Sequence, residues 1–345
     1  MKKRICLLPE ARSLGGPRSF QRTLIEWAKN SEMYEVDFDA SKLPDAYLVI
    51  GAPKQFLGLL LRARMKGIPV VLRLNGMNWI HRVQDCGVKY FLHSELANLA
   101  IAFYRRFVCT KIVYQSPFCE SRWNQVYGNL KKKNTIIYNG VNTSVFTPAE
   151  CFPDPSAEVR VLAVEGSFLK GMDFGLDIAA ELIRSLAERF QQPIRLLVAG
   201  KVDETARTRL QKRLEGSQKA VCVEFLGVLS REELAAEERS ATLFFSSEIH
   251  AACPNSVIEA MSCGLPVIGY DTAALKDVVG EGGIIVPYGS DPWKLERPRL
   301  SELADAAETV IKNNAAFRSA AEERARKNFT REKMALAYMD FCLKP

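Results

Sequence analysis

Residues 254–271 read Pro-Asn-Ser-Val-Ile-Glu-Ala-Met-Ser-Cys-Gly-Leu-Pro-Val-Ile-Gly-Tyr-Asp, and the reading of this stretch decides the fold. An apolar run precedes it, Thr242-Leu-Phe-Phe-Ser246, with the character of a buried strand. Asn255 or Ser256 is placed to cap a helix that runs to Cys263 and stops at Gly264. Pro266 then opens a second apolar run, residues 267–270. The unit is strand, loop, short helix, strand. Its helix N-terminus offers backbone N–H groups and a positive dipole end, which suit a phosphate. Glu259, one turn in, carries a carboxylate able to accept two ribose hydroxyls. An ordinary parallel-sheet unit with a surface glutamate has the same shape, so shape alone does not choose between them.

The same alternation extends outward in both directions. In the first half, strand-like runs fall at 4–8, 34–38, 46–50, 70–74, 112–115 and 135–138. Amphipathic stretches lie between them at 17–29, 54–66, 91–107 and 117–127, the last opened by Pro117 at a first helical position. Thr147-Pro-Ala-Glu-Cys-Phe-Pro-Asp-Pro-Ser156 has no periodicity and reads as a linker. Strands resume at 159–164, 194–199, 221–226, 242–246, 267–270 and 284–286. Helices fall at 174–190, 205–215, 231–238 and 256–262, with two or three more after Leu300. Ser230 and Glu233 form a capping box. Strands alternating with helices imply α/β domains with parallel sheets. The expectation is two doubly wound Rossmann-like domains, 1–148 and 158–330, joined by a linker at 149–157. A final helix in 331–345 either crosses back to the first domain or stays on its own.

Composition bounds the function. The chain has 345 residues, 48% hydrophobic and 25% charged, which is ordinary for a globular protein with two cores. No apolar run reaches the ~20 residues of a membrane span. The basic start turns charged again at Glu10 and reads as a first strand, not a signal peptide. Nine cysteines are scattered without a C-x-x-C pair, which points to reduced thiols and a cytoplasmic setting. Three histidines, His81, His93 and His250, give no zinc spacing, and no metal site is expected. The net charge of +7 is uneven. Residues 1–150 hold 22 Lys/Arg and 11 Asp/Glu (+11), and residues 151–345 hold 25 and 29 (−4). The basic half is expected to face something anionic. Nucleic acid is not expected, for want of any recognition signature. An anionic membrane surface met through residues 91–133 is a candidate partner, with Arg105, Arg106 and Lys131, Lys132 and Lys133 as contacts. The other reading is that these charges only solvate the domain.

The stretch Pro-Asn-x-x-x-Glu-Ala-Met-x-Cys-Gly-x-Pro-Val resembles the nucleotide-sugar signature of the retaining glycosyltransferases of family 4, the glycosyl transferases group 1. Four further segments resemble that family in the same order. They are Gly15-Gly16-Pro17-Arg18-Ser19-Phe20, Tyr114-Gln115-Ser116, Tyr138-Asn139-Gly140 through Phe146, and Glu165-Gly166-Ser167-Phe168-Leu169-Lys170-Gly171. The resemblance implies a GT-B architecture, two doubly wound domains facing across a cleft, and a nucleotide-sugar donor. It implies that Glu259 holds the ribose and Lys170 the diphosphate. Gly15, Gly16, Arg18, Gly166, Ser167, Gly200, Lys201, Leu226, Asn255, Ser256 and Val257 would border the donor, and Glu248 and His250 would sit in the sugar-side loop. Arg73 and Asn75, at a strand end where members often carry His-Gly, are further catalytic candidates. Two departures stand out. Glu165 occupies the place of a usual phosphate-binding arginine, and Ala251 and His250 the place of an earlier glutamate. No Asp-x-Asp stands near the other signals, and no cofactor is expected.

The implied activity is metal-independent, retaining transfer of a sugar from a UDP- or GDP-sugar to a cell-envelope glycan or polyprenyl-linked acceptor. The implied place is the cytoplasm, with a peripheral position at the inner face of the plasma membrane. The alternatives are a non-catalytic nucleotide-sugar-binding relative, for which Glu165 speaks, and an epimerase of the same architecture, against which the scarcity of histidine speaks.

Overall fold

The computed structural model describes residues 2–11, 15–169, 173–215 and 221–344. The chain divides into two compact units, residues 1–140 with 329–345, and residues 141–328. In the first unit the order is β1 (Lys3–Leu8), α1 (Gly16–Lys29), β2 (Tyr34–Asp37), β3 (Ala46–Ile50), α2 (Leu57–Met65), β4 (Val70–Leu74), α3 (Val88–Phe103), β5 (Lys111–Tyr114), α4 (Pro117–Tyr127) and β6 (Lys133–Ile136). Its strands pair in parallel in the order β2-β1-β3-β4-β5-β6. Strands covered on both faces read as continuous apolar runs. Accordingly every residue of β3 and β4 is buried.

The second unit runs β7 (Val159–Ser167), α5 (Phe174–Arg189), β8 (Ile194–Lys201), α6 (Glu204–Leu214), β9 (Val221–Gly227), α7 (Arg231–Ser240), β10 (Leu243–Phe245), α8 (Asn255–Ser262), β11 (Val267–Tyr270), α9 (Leu275–Val279), β12 (Gly283–Val286), α10 (Leu300–Lys312) and α11 (Asn314–Asn328). Its sheet is also parallel, in the order β12-β11-β10-β7-β8-β9. Both sheets are doubly wound. Strand order reverses between β1 and β3 in one and between β7 and β10 in the other. Ligands in such sheets bind outside the carboxyl ends at the reversal.

The last helix, α12 (Arg331–Leu343), belongs to the first unit. Thr330 caps it by accepting from the Lys333 N–H at 3.2 Å. Its Met334, Ala335, Tyr338, Met339 and Cys342 enter the first core beside Phe20 and Leu24 of α1. The Tyr338 and Phe20 rings lie 4.9 Å apart. Lys111 donates to the Phe341 carbonyl at 3.1 Å and to the Lys344 carbonyl, placing a cation at the helix C-terminus. Gly140 lets the chain pass this helix. A Cβ there would meet the Thr330 carbonyl at 2.7 Å and Met334 Cβ at 2.8 Å.

Two local expectations change. Asn255 is already inside α8, because the chain enters through Pro254, and neither Asn255 nor Ser256 caps it. The proline-rich stretch lies in the second unit, where the Arg318 guanidinium sits 4.3 Å from the Phe152 ring centroid.

Candidate functional site

At the reversal in the second unit, β7 carries an irregularity between Val164 and Ser167. Its cause lies next door. Gly200 has φ +138°, and a Cβ there would lie 2.0 Å from the Glu165 carbonyl oxygen, so only glycine lets β8 pass under the kink. The Glu165 side chain accepts a hydrogen bond from the Ser247 hydroxyl at 3.1 Å. Ser247 in turn lies against Gly175 at the start of α5, where a Cβ would meet its own Cβ at 2.5 Å. A kinked strand end, a helix start and the loop after β10 therefore meet at one point. Burial, and next the charge of Glu248, push the Glu165 carboxyl well above the usual range, while the Ser247 hydroxyl pulls the other way. Burial raises Glu248 to about 7. Glu165 is half-buried, whereas Glu248 is exposed at the loop surface and water offsets part of its rise.

The loop after β10 is held in a strained form. His250 has φ +62°, uncommon for a residue with a side chain. Its ring stacks on Trp293 with centroids 3.5 Å apart, and Nδ1 lies 2.7 Å from the Thr272 carbonyl oxygen. A carbonyl only accepts, so Nδ1 carries the proton. At the ends of β7 and β8, Gly166 and Lys201 are exposed and Ser167 is half-buried. Lys170 lies outside the described residues.

Helix α8 supplies the second group. Its first internal bond runs from the Ile258 N–H to the Pro254 carbonyl at 3.3 Å, so the N–H groups of Asn255, Ser256 and Val257 are the helix-terminal donors. The Val257 side chain is buried, which leaves only its backbone to meet a ligand. Glu259 Oε1 lies 3.7 Å from Arg231 Nη2, at the start of α7, just beyond Leu226 and Gly227. The Arg231 guanidinium stands 5.0 Å from the Phe146 ring centroid, and Ser262 donates to the Phe146 carbonyl at 2.7 Å. Behind Glu259, Glu238 is fully buried and accepts from the Cys263 thiol at 3.3 Å. Burial, then the Glu259 charge, raise its carboxyl well above the usual range.

In the first unit, α1 starts at Gly16 after Gly15 (φ +137°), and Arg18 is exposed in its first turn. Gln21, buried one turn later, donates to the Pro9 carbonyl at 2.6 Å and accepts from the Ala11 N–H at 2.8 Å. It pins the loop that leaves β1. A cavity of about 730 Å³ opens at the reversal, between residues 8–11, Phe38 and residues 55–56. Arg73 is 1% exposed, so it does not itself offer a surface to a ligand. Its guanidinium donates to Asn75 Oδ1, to Asn139 Oδ1 at 2.7 Å and to Gln115 Oε1 at 3.0 Å, and lies 4.1 Å from the Phe20 ring centroid. Gln115 also donates to Asn75 Oδ1 at 2.9 Å. Two donors thus fix the Asn75 side-chain oxygen, and Asn75 itself is half-buried beside the exposed Gly76.

Within the second unit the structure gathers Gly166, Ser167, Gly200, Lys201, Glu248 and His250 at the β7, β8 and β10 ends, and Asn255, Ser256, Val257 and Glu259 on α8. Gly15, Gly16, Arg18, Arg73 and Asn75 stand in the first unit. Arg231, Ser247, Glu238 and Gln21 were not singled out from sequence. Gln115 and Asn139 were quoted only within longer segments. Among the described residues no group of three or more His, Cys, Asp or Glu could hold a metal ion.

Residues 160–313 match the family model of glycosyl transferases group 1. Solved structures align over nearly the whole chain. WaaG, described as a glycosyltransferase involved in lipopolysaccharide biosynthesis, superimposes with a TM-score of 0.68 at 14% identity over 99% of this chain and 100% of its own. Anabaena HepE in complex with UDP gives 0.66 at 16% identity over 99% of each chain. Among curated proteins, the alpha-maltose-1-phosphate synthase of Mycolicibacterium smegmatis is 22% identical over 190 residues, 50% of this chain and 46% of that one. The match therefore spans less than half the length of that relative. The fold is GT-B, and the resemblance to the group 1 glycosyltransferases is borne out.

Proposed function

We propose that the chain is a metal-independent, retaining glycosyltransferase that moves a sugar from a UDP- or GDP-sugar to a cell-envelope glycan or polyprenyl-linked acceptor. The observation that carries this is Glu259 one turn into α8, behind three helix-terminal N–H groups, in the segment that matches the family model. A carboxylate for the ribose and amide donors for the diphosphate are what a nucleoside diphosphate needs. The UDP in Anabaena HepE supports the uridine form of the donor. The printed role of WaaG supports an envelope acceptor.

In the reaction the bond between the anomeric carbon and the leaving phosphate oxygen breaks, and the acceptor oxygen bonds to that carbon from the same face. The acceptor proton passes to the leaving phosphate oxygen. Charge growing on the diphosphate is met by the N–H groups of Ser256 and Val257 and by Lys170, each such donor being worth ~3–4 kcal/mol in a well-placed site. Gly15, Gly16, Arg18 and Asn75 are the first unit's own candidates for ligand contacts. The protein works on the cytoplasmic side, peripheral to the membrane that holds its acceptor.

The test is a thermal-shift panel of UDP, GDP and their sugars, followed by anomeric analysis of product formed in EDTA. A ligand at 100 times its dissociation constant adds ~2.7 kcal/mol. Glu259→Ala is expected to weaken nucleotide binding by about 10- to 100-fold, the worth of a charged hydrogen-bonding group, with the fold intact. Unchanged affinity by calorimetry would remove Glu259 from the site, and inverted product would end the retaining mechanism. One observation favours a second reading. Glu165, locked to Ser247, puts a carboxylate where the family carries a phosphate-binding cation, as a non-catalytic nucleotide-sugar-binding relative could. Binding without turnover across the panel would select it.

A further inference from the structure

Helix α3 is inside out. Its inward face carries Ser94, Asn98 and, in the π-helical turn that follows (Tyr104–Val108), Arg105, all buried. Each of the two larger groups is satisfied there. Asn98 exchanges hydrogen bonds with the Asn78 backbone at 2.9 and 3.1 Å. Arg105 donates to the Tyr114 hydroxyl, the Gly128 carbonyl and Asn124. The outward face carries Val88, Leu92, Leu96, Leu99, Phe103 and Phe107, between 45% and 75% exposed. Their spacing of four, four, three, four and four is one continuous stripe. A helix that meets water shows the opposite arrangement. At 1.5 Å per residue the stripe runs for roughly 30 Å.

We propose that this stripe docks the first unit onto an anionic lipid bilayer. Charge selects the occupant. Between residues 46 and 119 seven lysines and arginines are exposed (Arg73, Arg105 and Lys111 being buried), against two acids, Asp85 and Glu95. Asp85 accepts from the Gly87 N–H, and Glu95 is paired with Arg82. Lys89 is exposed on α3 and Arg106 in the π-helical turn after it, and Arg62 and Met65 are exposed on α2 with Lys66 just past its end. Arg64 donates to the Phe107 carbonyl and so ties the end of α2 to the end of the stripe. A second copy on this face would set these cations against their own images, whereas an anionic headgroup layer complements them. An apolar stripe with a basic rim lies in the interface plane, its apolar side sunk ~5–10 Å. No described helix is long and apolar enough to cross a membrane, so the contact is superficial.

The structure also corrects the contacts expected from sequence. Arg105 is 1% exposed and cannot touch lipid. Lys132 donates to the carbonyls of Arg105, Arg106 and Cys109 at 2.7–2.9 Å, so its charge caps a helix end. Arg106, Lys131 and Lys133 remain exposed, and Lys89, Arg62 and Lys66 join them.

The inference names the face for the peripheral position proposed above and rests on that reading only for the acceptor's whereabouts. The test is co-sedimentation with phosphatidylcholine vesicles, with and without phosphatidylglycerol, at low and high salt, with UDP thermal shift in parallel. The intact protein is expected on the anionic vesicles at low salt and off them at high salt. Leu96→Asp/Leu99→Asp should abolish sedimentation. Lys89→Glu/Arg106→Glu should lower partitioning by on the order of tenfold or more, each basic residue near the surface counting roughly fivefold. Both variants alter exposed side chains and should keep the wild-type melting temperature. Indifference of the intact protein to anionic lipid, or equal sedimentation of the Leu96→Asp/Leu99→Asp variant, would overturn the proposal. So would a dimer in sedimentation velocity that this variant dissolves, which would give the face to a second copy. Vesicle binding without any response to nucleotide would support the face and tell against the transfer reading.

Discussion

The carboxyl edges of the two sheets share a topology and solve opposite electrostatic problems. In the first unit a guanidinium, Arg73, is buried, and among the described residues no carboxylate is bonded to it. Three amide oxygens and one aromatic face receive it. In the second unit carboxyls are wholly or half buried: Glu165 faces a hydroxyl, Glu238 a thiol, and Glu259 lies 3.7 Å from the Arg231 guanidinium. A guanidinium does not shed its proton in a protein, so the first edge is a fixed frame. A carboxyl pushed up by burial can become neutral, so the second edge can change its charge. Amides hold an orientation and carboxyls hold a protonation state.

The largest effect expected from this contrast is at Arg73. Arg73→Ala removes the shared donor of Asn75, Gln115 and Asn139 and leaves buried amide oxygens without it. A loss of about 3–4 kcal/mol in unfolding free energy is expected, the scale of breaking a buried polar network. Chemical denaturation measures it. A change under about 1 kcal/mol, the ordinary effect of a surface substitution, would mean that the first edge is not a frame at all.

Arg231 sharpens the other side. It stands 3.7 Å from Glu259, and both side chains are less than a fifth exposed. It is expected to act on a ligand by holding that carboxylate. Arg231→Gln should weaken nucleotide binding by roughly three- to tenfold, about the worth of a partly screened pair. KM should rise with kcat little changed, since ground and transition states lose the same contact. Arg231→Lys should recover part of the loss. If Lys and Gln behave alike, the charge of Arg231 does not position Glu259.

How much of this could be read from the chain follows from what kind of signal each part carries. Runs 46–50 and 70–74 coincide with β3 and β4, because a strand buried on both faces is apolar nearly throughout, and Arg73, near the carboxyl end of β4, is the one charged residue in the two runs. Glu259 and its helix were legible, since proline, asparagine and glycine mark the ends and the carboxylate is the one charge between them. Arg231 was not, because only the fold brings the start of α7 beside α8. Neither was Ser247, one hydroxyl in a polar loop. The α3 stripe was visible as apolar spacing, but periodicity does not say which side faces in. Asn98 and the Asn78 backbone decide that, and their pairing is invisible in sequence. The last helix was open between two homes for the same reason. Tyr338 against Phe20 settles it.

The smallest and most specific effect belongs to Glu165. Its folded-state carboxyl titrates well above the usual range through burial, then through the charge of Glu248. In the unfolded chain it titrates near the ordinary value, about 4.3. Below that value both states hold the proton and the shift has no consequence. As pH rises past it, the unfolded chain gives up its proton while the folded chain keeps its own, so the folded state loses stability relative to the unfolded until the folded carboxyl also ionises. Glu165→Gln keeps the shape and the acceptor for Ser247 but removes the proton. The variant should therefore melt with the wild type at pH 4 or below, and above it by a growing margin toward pH 8. Diphosphate affinity should follow the same window. In the wild type it should fall as Glu165 and Glu248 become charged, Glu248 near 7, and in the variant the fall should be shallower. Melting curves and UDP calorimetry across that range read both. Parallel pH profiles for the two proteins would mean that Glu165 is ionised throughout. The second edge would then be as fixed as the first, and a permanent negative charge would stand where the family places a cation for the diphosphate.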